Sequence, residues 1–188
     1  MQFYTEVMEK QVVRRVQTLL TDPQLLAIFN EFGGEPFRRS SIFHGLDSFL
    51  RECEVRGRLC FEIGTWNGLT ALILSRFFDQ VVTVDIAHNP LKHDILKFAG
   101  VKNVTCIDIA DNEEKAAVAR DLDFDFAYLD GDHANDTETD WNMTKRCGAV
   151  LMHEAWPWQE PVFELVNRLP PTQVTLGGAG LALWRARK

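Results

Sequence analysis

The sequence predicts an α/β protein with one doubly wound, mostly parallel sheet of seven strands that ends in an antiparallel hairpin. From Arg58 onward, short apolar runs alternate with helix-forming stretches. That alternation is typical of right-handed βαβ units, which place helices on both faces of a parallel sheet. Near the end of the chain, two strand-like runs are separated only by a short glycine-rich turn. Strands joined so tightly must pair as a hairpin.

Five strands and their connecting helices follow from this alternation. The predicted strands are Leu59–Ile63, Val81–Asp85, Val104–Asp108, Phe124–Asp130 and Ala149–His153. The predicted helices are Leu69–Phe78, Leu91–Ala99, Asn112–Arg120, Thr137–Arg146 and Pro161–Arg168. Gln173–Leu176 and Leu181–Arg185 form the hairpin.

The first 56 residues have a helical rather than an alternating pattern. Thr21-Asp22-Pro23 supplies a helix cap followed by a first-turn proline, and Ser40 or Ser41 caps a second amphipathic helix. This stretch is short for a second domain. We therefore expect residues 1–56 to form a helical cap over the ligand mouth of one compact unit, residues 57–188.

Composition limits the classes of partner. The chain has 188 residues, 46% of them hydrophobic, and a net charge of −7. An acidic chain is not expected to bind nucleic acid, because phosphate contacts need clustered lysine and arginine. Its four cysteines are scattered, and no apolar run approaches the roughly 20 residues that span a bilayer. We expect a soluble, cytoplasmic protein with no membrane partner.

A glycine corner follows the first predicted strand. Glu62 ends the apolar run, Gly64 and Gly68 lie four residues apart, and Asp85 ends the next strand 21 residues after Gly64. Glycines allow close approach of the backbone to a ligand, and a carboxylate at that distance binds ribose hydroxyls in nucleotide-binding α/β units. The pattern predicts an adenosine-containing ligand. An ordinary strand-loop-helix corner with structural glycines is the alternative.

The order Glu62 to Thr70 resembles the first motif of class I S-adenosylmethionine-dependent methyltransferases, in the O-methyltransferase version with an aromatic residue between the glycines. The resemblance implies a Rossmann-like methyltransferase fold with S-adenosylmethionine as cofactor. It places the methionyl end near Glu62, the amino-acid part along the loop (Gly64, Thr65, Trp66 and Gly68) and the ribose at Asp85. The adenine is expected near Asp108, with Asp111 as the alternative.

Acidic residues and histidines follow the fourth and fifth strands. Asp130, Asp132 and His133 come after one, and His153 and Glu154 end the other. Because the carboxyl ends of neighbouring parallel strands share one edge, these side chains are expected to crowd together. A divalent ion would relieve the repulsion among the acids, with Mg²⁺ favoured by oxygen ligands and Mn²⁺ by the histidine. Asp140, farther along, is expected to be a cap or a surface residue.

The Asp-Gly-Asp-His tetrad, residues 130–133, is similar to that of metal-dependent sugar O-methyltransferases of the macrocin and mycinamicin type. The resemblance implies that Asp130 binds the metal and that His133 is the general base. The family's second ligand pair is normally acidic, whereas this chain has His153 and Glu154. The metal ligands predicted here are therefore Asp130, His153 and Glu154.

The sequence thus predicts metal-assisted O-methylation of a small-molecule hydroxyl, on a sugar or other vicinal diol. Asp-Gly-Asp-His stands where amino-methylating enzymes carry a Pro-Pro-aromatic motif, which argues against a nucleic-acid or protein methyltransferase. A cephalosporin hydroxylase-like protein and a non-catalytic S-adenosylmethionine-binding protein are the alternatives on the same fold. A small-molecule acceptor is the expected partner, and the sequence leaves a homo-oligomer open.

Overall fold

One seven-stranded sheet forms the centre of the protein. The computed structural model describes residues 21–37, 45–157, 159–177 and 180–187. The strands are β1 (Gly57–Ile63), β2 (Phe78–Asp85), β3 (Val104–Asp108), β4 (Phe126–Leu129), β5 (Ala149–Met152), β6 (Val174–Gly177) and β7 (Leu181–Arg185). Their order is β3-β2-β1-β4-β5-β7-β6. β1 to β5 pair in parallel, and β7 pairs antiparallel with both β5 and β6. The predicted parallel sheet with a terminal hairpin is confirmed.

Helices cover both faces of this sheet. They are α1 (Pro23–Phe32), α2 (Leu46–Glu52), α3 (Leu69–Leu74), α4 (Leu91–Phe98), α5 (Asn112–Asp121), α6 (Thr137–Thr144) and α7 (Glu160–Arg168), with short 3₁₀ turns at Glu35–Phe37 and Pro171–Gln173. One core layer contains buried residues of α1 to α4, and a second contains buried residues of α5, α6 and α7. Among the described helices, none is both long and apolar enough to cross a bilayer.

The helix after the glycine corner is shorter than predicted. It ends at Leu74 rather than Phe78, and β2 begins at Phe78. The amides of Arg76 and Phe77 bond to carbonyls three residues back, which tightens the chain into a turn. Asn103 Nδ2 then donates to the carbonyl oxygens of Ser75 and Phe78, at 3.0 Å each. These contacts end the helix and start the strand early.

The described part of the N-terminal stretch packs onto the sheet. Leu25, Phe37 and Leu50 are buried in the same core layer as residues of α3 and β2. Residues 1–20 and 38–44, including both predicted cap positions Ser40 and Ser41, lie outside the described residues. The division into a cap, residues 1–56, and a main unit stays a prediction.

The strand order reverses direction between β1 and β4, each of which begins a different half of the sheet. In doubly wound sheets a crevice opens at such a switch point, outside the carboxyl ends of the strands. A cavity of about 590 Å³ lies there.

Candidate active site

This cavity gathers residues from the carboxyl ends of the five parallel strands, β1 to β5. Eight of the residues predicted to form the site line it: Gly64, Thr65, Trp66, Asp85, Asp130, His133, His153 and Glu154. Glu62, Gly68 and Asp108 are not among its described lining residues. The structure therefore brings the glycine corner and the acid-histidine residues to one space, as the parallel topology required.

The two glycines of the corner are needed for packing against protein. Gly64 has φ +101°, and a Cβ there would collide with the backbone carbonyl of Asp130. Gly68 has φ +81°, and its Cβ would lie 3.2 Å from Lys92 Cβ. The sequence pattern indicated that these glycines allow a ligand to approach the backbone closely. In the structure Gly64 also lets β1 approach the loop after β4, and Gly68 lets the corner approach α4.

Asp85 fixes the loop from the neighbouring strand. Its Oδ2 accepts a hydrogen bond from the Trp66 amide at 2.5 Å, and its Oδ1 accepts one from the Ala87 amide at 2.7 Å. Trp66 has a positive φ of 47° and a side chain that is 46% exposed at the cavity wall. Below it, the hydroxyls of Thr65 and Thr83 are 2.6 Å apart. Side chains of β2 thus hold the loop, through one of its backbone amides and one of its hydroxyls.

Glu62 lies in the core at the end of β1. It is fully buried, and neither carboxylate oxygen has a hydrogen-bond partner among the described residues. Burial raises the pKa of Glu62 to about 8; the nearby Thr83 hydroxyl opposes this rise, and the charges of Asp130 and Asp85 add to it. Its predicted role at the methionyl end of the cofactor stays a prediction.

Asp108 ends β3 and is engaged elsewhere. Its carboxylate bonds to the buried Lys92 ammonium and lies 3.0 Å from His88 Nδ1. The hydrogen bond from Lys92 lowers the pKa of Asp108 below its ordinary value. Its predicted role near the adenine stays a prediction.

A carboxylate and two histidines form the polar centre of the cavity. Asp130 Oδ1 lies 2.6 Å from His153 Nδ1 and 3.5 Å from His133 Nε2. Burial alone would raise the pKa of Asp130, but the two imidazoles outweigh it and hold the pKa well below its usual range. Burial alone would lower the pKa of His153, but the charge of Asp130 raises it. Asp130 and His153 therefore each stabilise the charged form of the other.

The donor atoms of this centre fit a divalent ion. One ligand atom each from Asp130, His133 and His153 lie within 4.8 Å of one another. His133 Nε2 is buried and makes no hydrogen bond to the described residues. Glu154, one of the predicted ligands, has φ +58°, and its Oε2 accepts a hydrogen bond from Gln159 Nε2 at 2.9 Å. The described cluster thus differs from the predicted ligand set at one position.

Sequence reasoning missed a buried ion cluster at the cavity edge. Lys115 lines the cavity with its side chain only 3% exposed, and its Nζ lies 2.7 Å from Asp140 Oδ1. The expectation that Asp140 is a cap or surface residue is wrong, because Asp140 lies within α6 and is only 3% exposed to solvent. Burial raises the pKa of Asp140 despite the lysine. The sequence held a partial signal: Lys115 lies four residues before the apolar Ala119, so the two share one face of α5.

Comparisons with known proteins establish the fold. No family model matches the chain, and no curated protein matches its sequence. A Staphylococcus aureus structure provisionally described as a caffeoyl-CoA O-methyltransferase is similar, with TM-score 0.67, 14% identity, and coverage of 95% of this chain and 100% of that one. So is the Bacillus cereus O-methyltransferase in complex with SAH, with TM-score 0.64, 14% identity, and coverage of 88% and 92%. Cofactor-bound Rv0187 from MTB has TM-score 0.66, 18% identity, and coverage of 87% and 89%. The fold is therefore the Rossmann-like methyltransferase fold, as the sequence predicted.

Proposed function

We propose that the protein is an S-adenosylmethionine-dependent methyltransferase that methylates a hydroxyl of a small molecule, such as a sugar or another vicinal diol. One observation carries the proposal. A single cavity holds both the glycine corner with Asp85 and the centre formed by Asp130, His133 and His153. The first group is suited to an adenosine ligand, and the second is suited to activating a hydroxyl. The shared fold with O-methyltransferases supports this reading.

The cofactor would bind along the corner between β1 and β2. Each Asp85 oxygen accepts one backbone hydrogen bond, which leaves acceptor capacity for ribose hydroxyls. The exposed Trp66 ring offers an apolar wall beside them. A cofactor held by Asp85 and the glycine corner would share the cavity with Asp130, His133 and His153, and it would supply the methyl group.

Methyl transfer from a sulfonium is an in-line displacement that needs an oxygen held about 3 Å from the methyl carbon. The acceptor hydroxyl loses its proton as the new C–O bond forms. We assign His133 as the general base, because an imidazole exchanges protons near neutral pH and its buried Nε2 has no hydrogen bond to the described residues. Asp130 would stabilise the imidazolium through the 3.5 Å contact.

A divalent ion would assist at the same centre. Asp130 and His153 belong both to the predicted ligand set and to the described cluster, so we assign them as its ligands, with Glu154 as the third. The nitrogen of His153 favours Mn²⁺ or another transition ion over Mg²⁺. When bound, such an ion would act as a Lewis acid that lowers the pKa of the acceptor hydroxyl.

Calorimetry with S-adenosylmethionine, alone and with Mg²⁺ or Mn²⁺, tests the cofactor and the ion without a known acceptor. We expect saturable cofactor binding in each case. Incubation with a panel of vicinal-diol sugars should then give a methylated product and S-adenosylhomocysteine. An absence of cofactor binding would contradict the proposal. An oxidised product would favour the hydroxylase-like alternative, and binding without turnover of any acceptor would favour the non-catalytic one.

A further inference from the structure

A buried lysine joins α5 to the start of α6, next to the loop that carries His133. Lys115 Nζ lies 2.7 Å from Asp140 Oδ1 and donates a 3.2 Å hydrogen bond to Asp136 Oδ2. Asn112 Nδ2 donates to the other Asp136 oxygen at 2.9 Å. We call these four residues the α5–α6 clamp. Through the clamp, both carboxylate oxygens of Asp136 are held by α5.

Hydrogen bonds within the loop before α6 couple the position of its backbone to that of Asp136. The Asp136 amide donates to the Asp132 carbonyl at 2.9 Å, and Asp132 Oδ1 accepts from the Ala134 amide at 3.0 Å. Thr137 Oγ1 donates to the carbonyl of His133 itself at 2.7 Å. A displacement of Asp136 would therefore move the backbone of His133.

The imidazole of His133 is mostly buried, and packing rather than a described hydrogen bond at Nε2 holds it. Its Nε2 lies 3.5 Å from Asp130 Oδ1 and 3.9 Å from Glu154 Oε2, and it makes no hydrogen bond to the described residues. The ring's position in the cavity therefore depends both on this packing and on where the backbone of the loop is fixed. The α5–α6 clamp supplies that fixed point.

A buried charge cluster stabilises the contact between two helices poorly. The free-energy cost of desolvating buried ions often exceeds their attraction, and apolar side chains of similar volume would pack as well or better. Ionic contacts do define a direction and a distance, which apolar contacts leave loose. Lys115 and Asp136 also line the cavity, so the cluster stands where accurate placement matters.

We propose that Lys115 is a positioning residue, which fixes the His133 loop against the cavity through Asp136 and Asp140. The expected effect of Lys115 on turnover rests on the methyltransferase activity proposed above. Its effect on the position of the loop does not, and each effect is measured separately.

The first measurement is amide hydrogen exchange of Lys115→Met, which removes the charge and keeps the length of the side chain. We expect exchange in residues 131–137 to accelerate by at least about tenfold, with the central strands β1 and β4 unchanged. The matched control is Lys92→Met. Lys92 is equally buried and ion-paired, but with Asp108 on β3, so its loss should leave residues 131–137 at the wild-type rate.

The second measurement is turnover on an acceptor from the diol panel. We expect kcat of Lys115→Met to fall by about 100-fold, because a displacement of about 1 Å has an effect of that size. The KM for S-adenosylmethionine should stay within about threefold, since the cofactor corner lies on other strands. Lys115→Arg, which keeps the charge, should recover at least part of the rate and restore slow exchange.

Wild-type exchange in residues 131–137 of folded Lys115→Met would overturn the proposal, as would acceleration spread evenly over all helices. If that variant does not fold, Lys115→Met/Asp140→Asn removes both charges of the closer ion pair and is measured in the same way. If wild-type protein binds no S-adenosylmethionine, the methyltransferase proposal fails, while the exchange results still decide whether Lys115 positions the loop.

Discussion

The two halves of the cavity are built in different ways. At the ends of β1 and β2, the contacts fix the backbone: the Asp85 carboxylate accepts from two backbone amides, and two glycines have left-handed conformations. At the ends of β4 and β5, the contacts join side chains that are distant in the sequence, such as Asp130 to His153. The first half depends on conformations that few residues adopt. The second depends on particular charged groups meeting.

The comparison indicates which substitutions each half tolerates. A backbone-built loop is sensitive to an added Cβ and less sensitive to the identity of its side chains. A centre built from buried ionisable groups is sensitive to the loss of a single charge, because the partner is left without compensation. Four predictions test this difference, from the largest expected effect to the smallest.

Gly64→Ala should have the largest effect on the backbone-built half. The new Cβ would both strain a backbone at φ +101° and collide with the carbonyl of Asp130. We expect the free energy of unfolding to fall by about 3 kcal/mol or more, measured by urea denaturation. Gly100→Ala is the control, since Gly100 has φ +69° but open space around a Cβ, and should cost about 1–2 kcal/mol. Equal losses in the two variants would show that the contact with β4 is unimportant.

Asp130→Asn should have the largest effect on the side-chain half. The wild-type carboxylate pairs with His153 and is one ligand of the proposed ion site, and the substitution removes its charge. We expect the ion-stimulated rate to fall by at least about 100-fold while calorimetric affinity for S-adenosylmethionine stays within about threefold. Asp132→Asn, two residues on and bonded within its own loop, should lose far less. Full ion stimulation in Asp130→Asn would refute the assignment.

Glu62→Gln should change how stability depends on pH. The folded pKa is about 8 against an ordinary 4.5, so the protonated acid is the form that suits the folded state. The stability linked to this group is complete below the unfolded pKa and is lost as the pH rises through the folded pKa. Between about pH 6 and pH 8 the wild type should lose about 2 kcal/mol that Glu62→Gln retains. Urea denaturation across this range, with the exposed Glu164→Gln as control, makes the measurement. Parallel pH profiles for wild type and Glu62→Gln would contradict it.

Asp85→Asn should have the smallest effect of the four. One side-chain oxygen can still accept from an amide, but the new NH₂ group faces a backbone donor. We expect affinity for S-adenosylmethionine to weaken by about tenfold, with ion binding unchanged. Asp79→Asn makes the same chemical change at an exposed position of β2 and should bind normally. A larger loss of affinity in Asp79→Asn than in Asp85→Asn would exclude Asp85 from the cofactor site.

Much of the backbone-built half could be predicted from the sequence. Gly64, Gly68 and Asp85 stand at fixed spacings because one strand-loop-helix unit and the next strand create their geometry, and such local units have recognisable patterns. The same reasoning placed Asp130, His133 and His153 at one edge, because parallel strands share their carboxyl ends. The ion pair between Asp108 and Lys92 could not be predicted in this way, since it depends on how α4 packs against the sheet.

The sequence by itself determined the alternation of strands and helices, the terminal hairpin and the glycine corner, because each follows from residue preferences over a short stretch. Only the tertiary structure decided that Asp140 is buried with Lys115, that Glu154 bonds to Gln159, and that a Cβ at Gly64 would collide with the residue after β4. Those outcomes depend on distances between segments far apart in the chain, which are set when helices and strands pack and which no local pattern encodes.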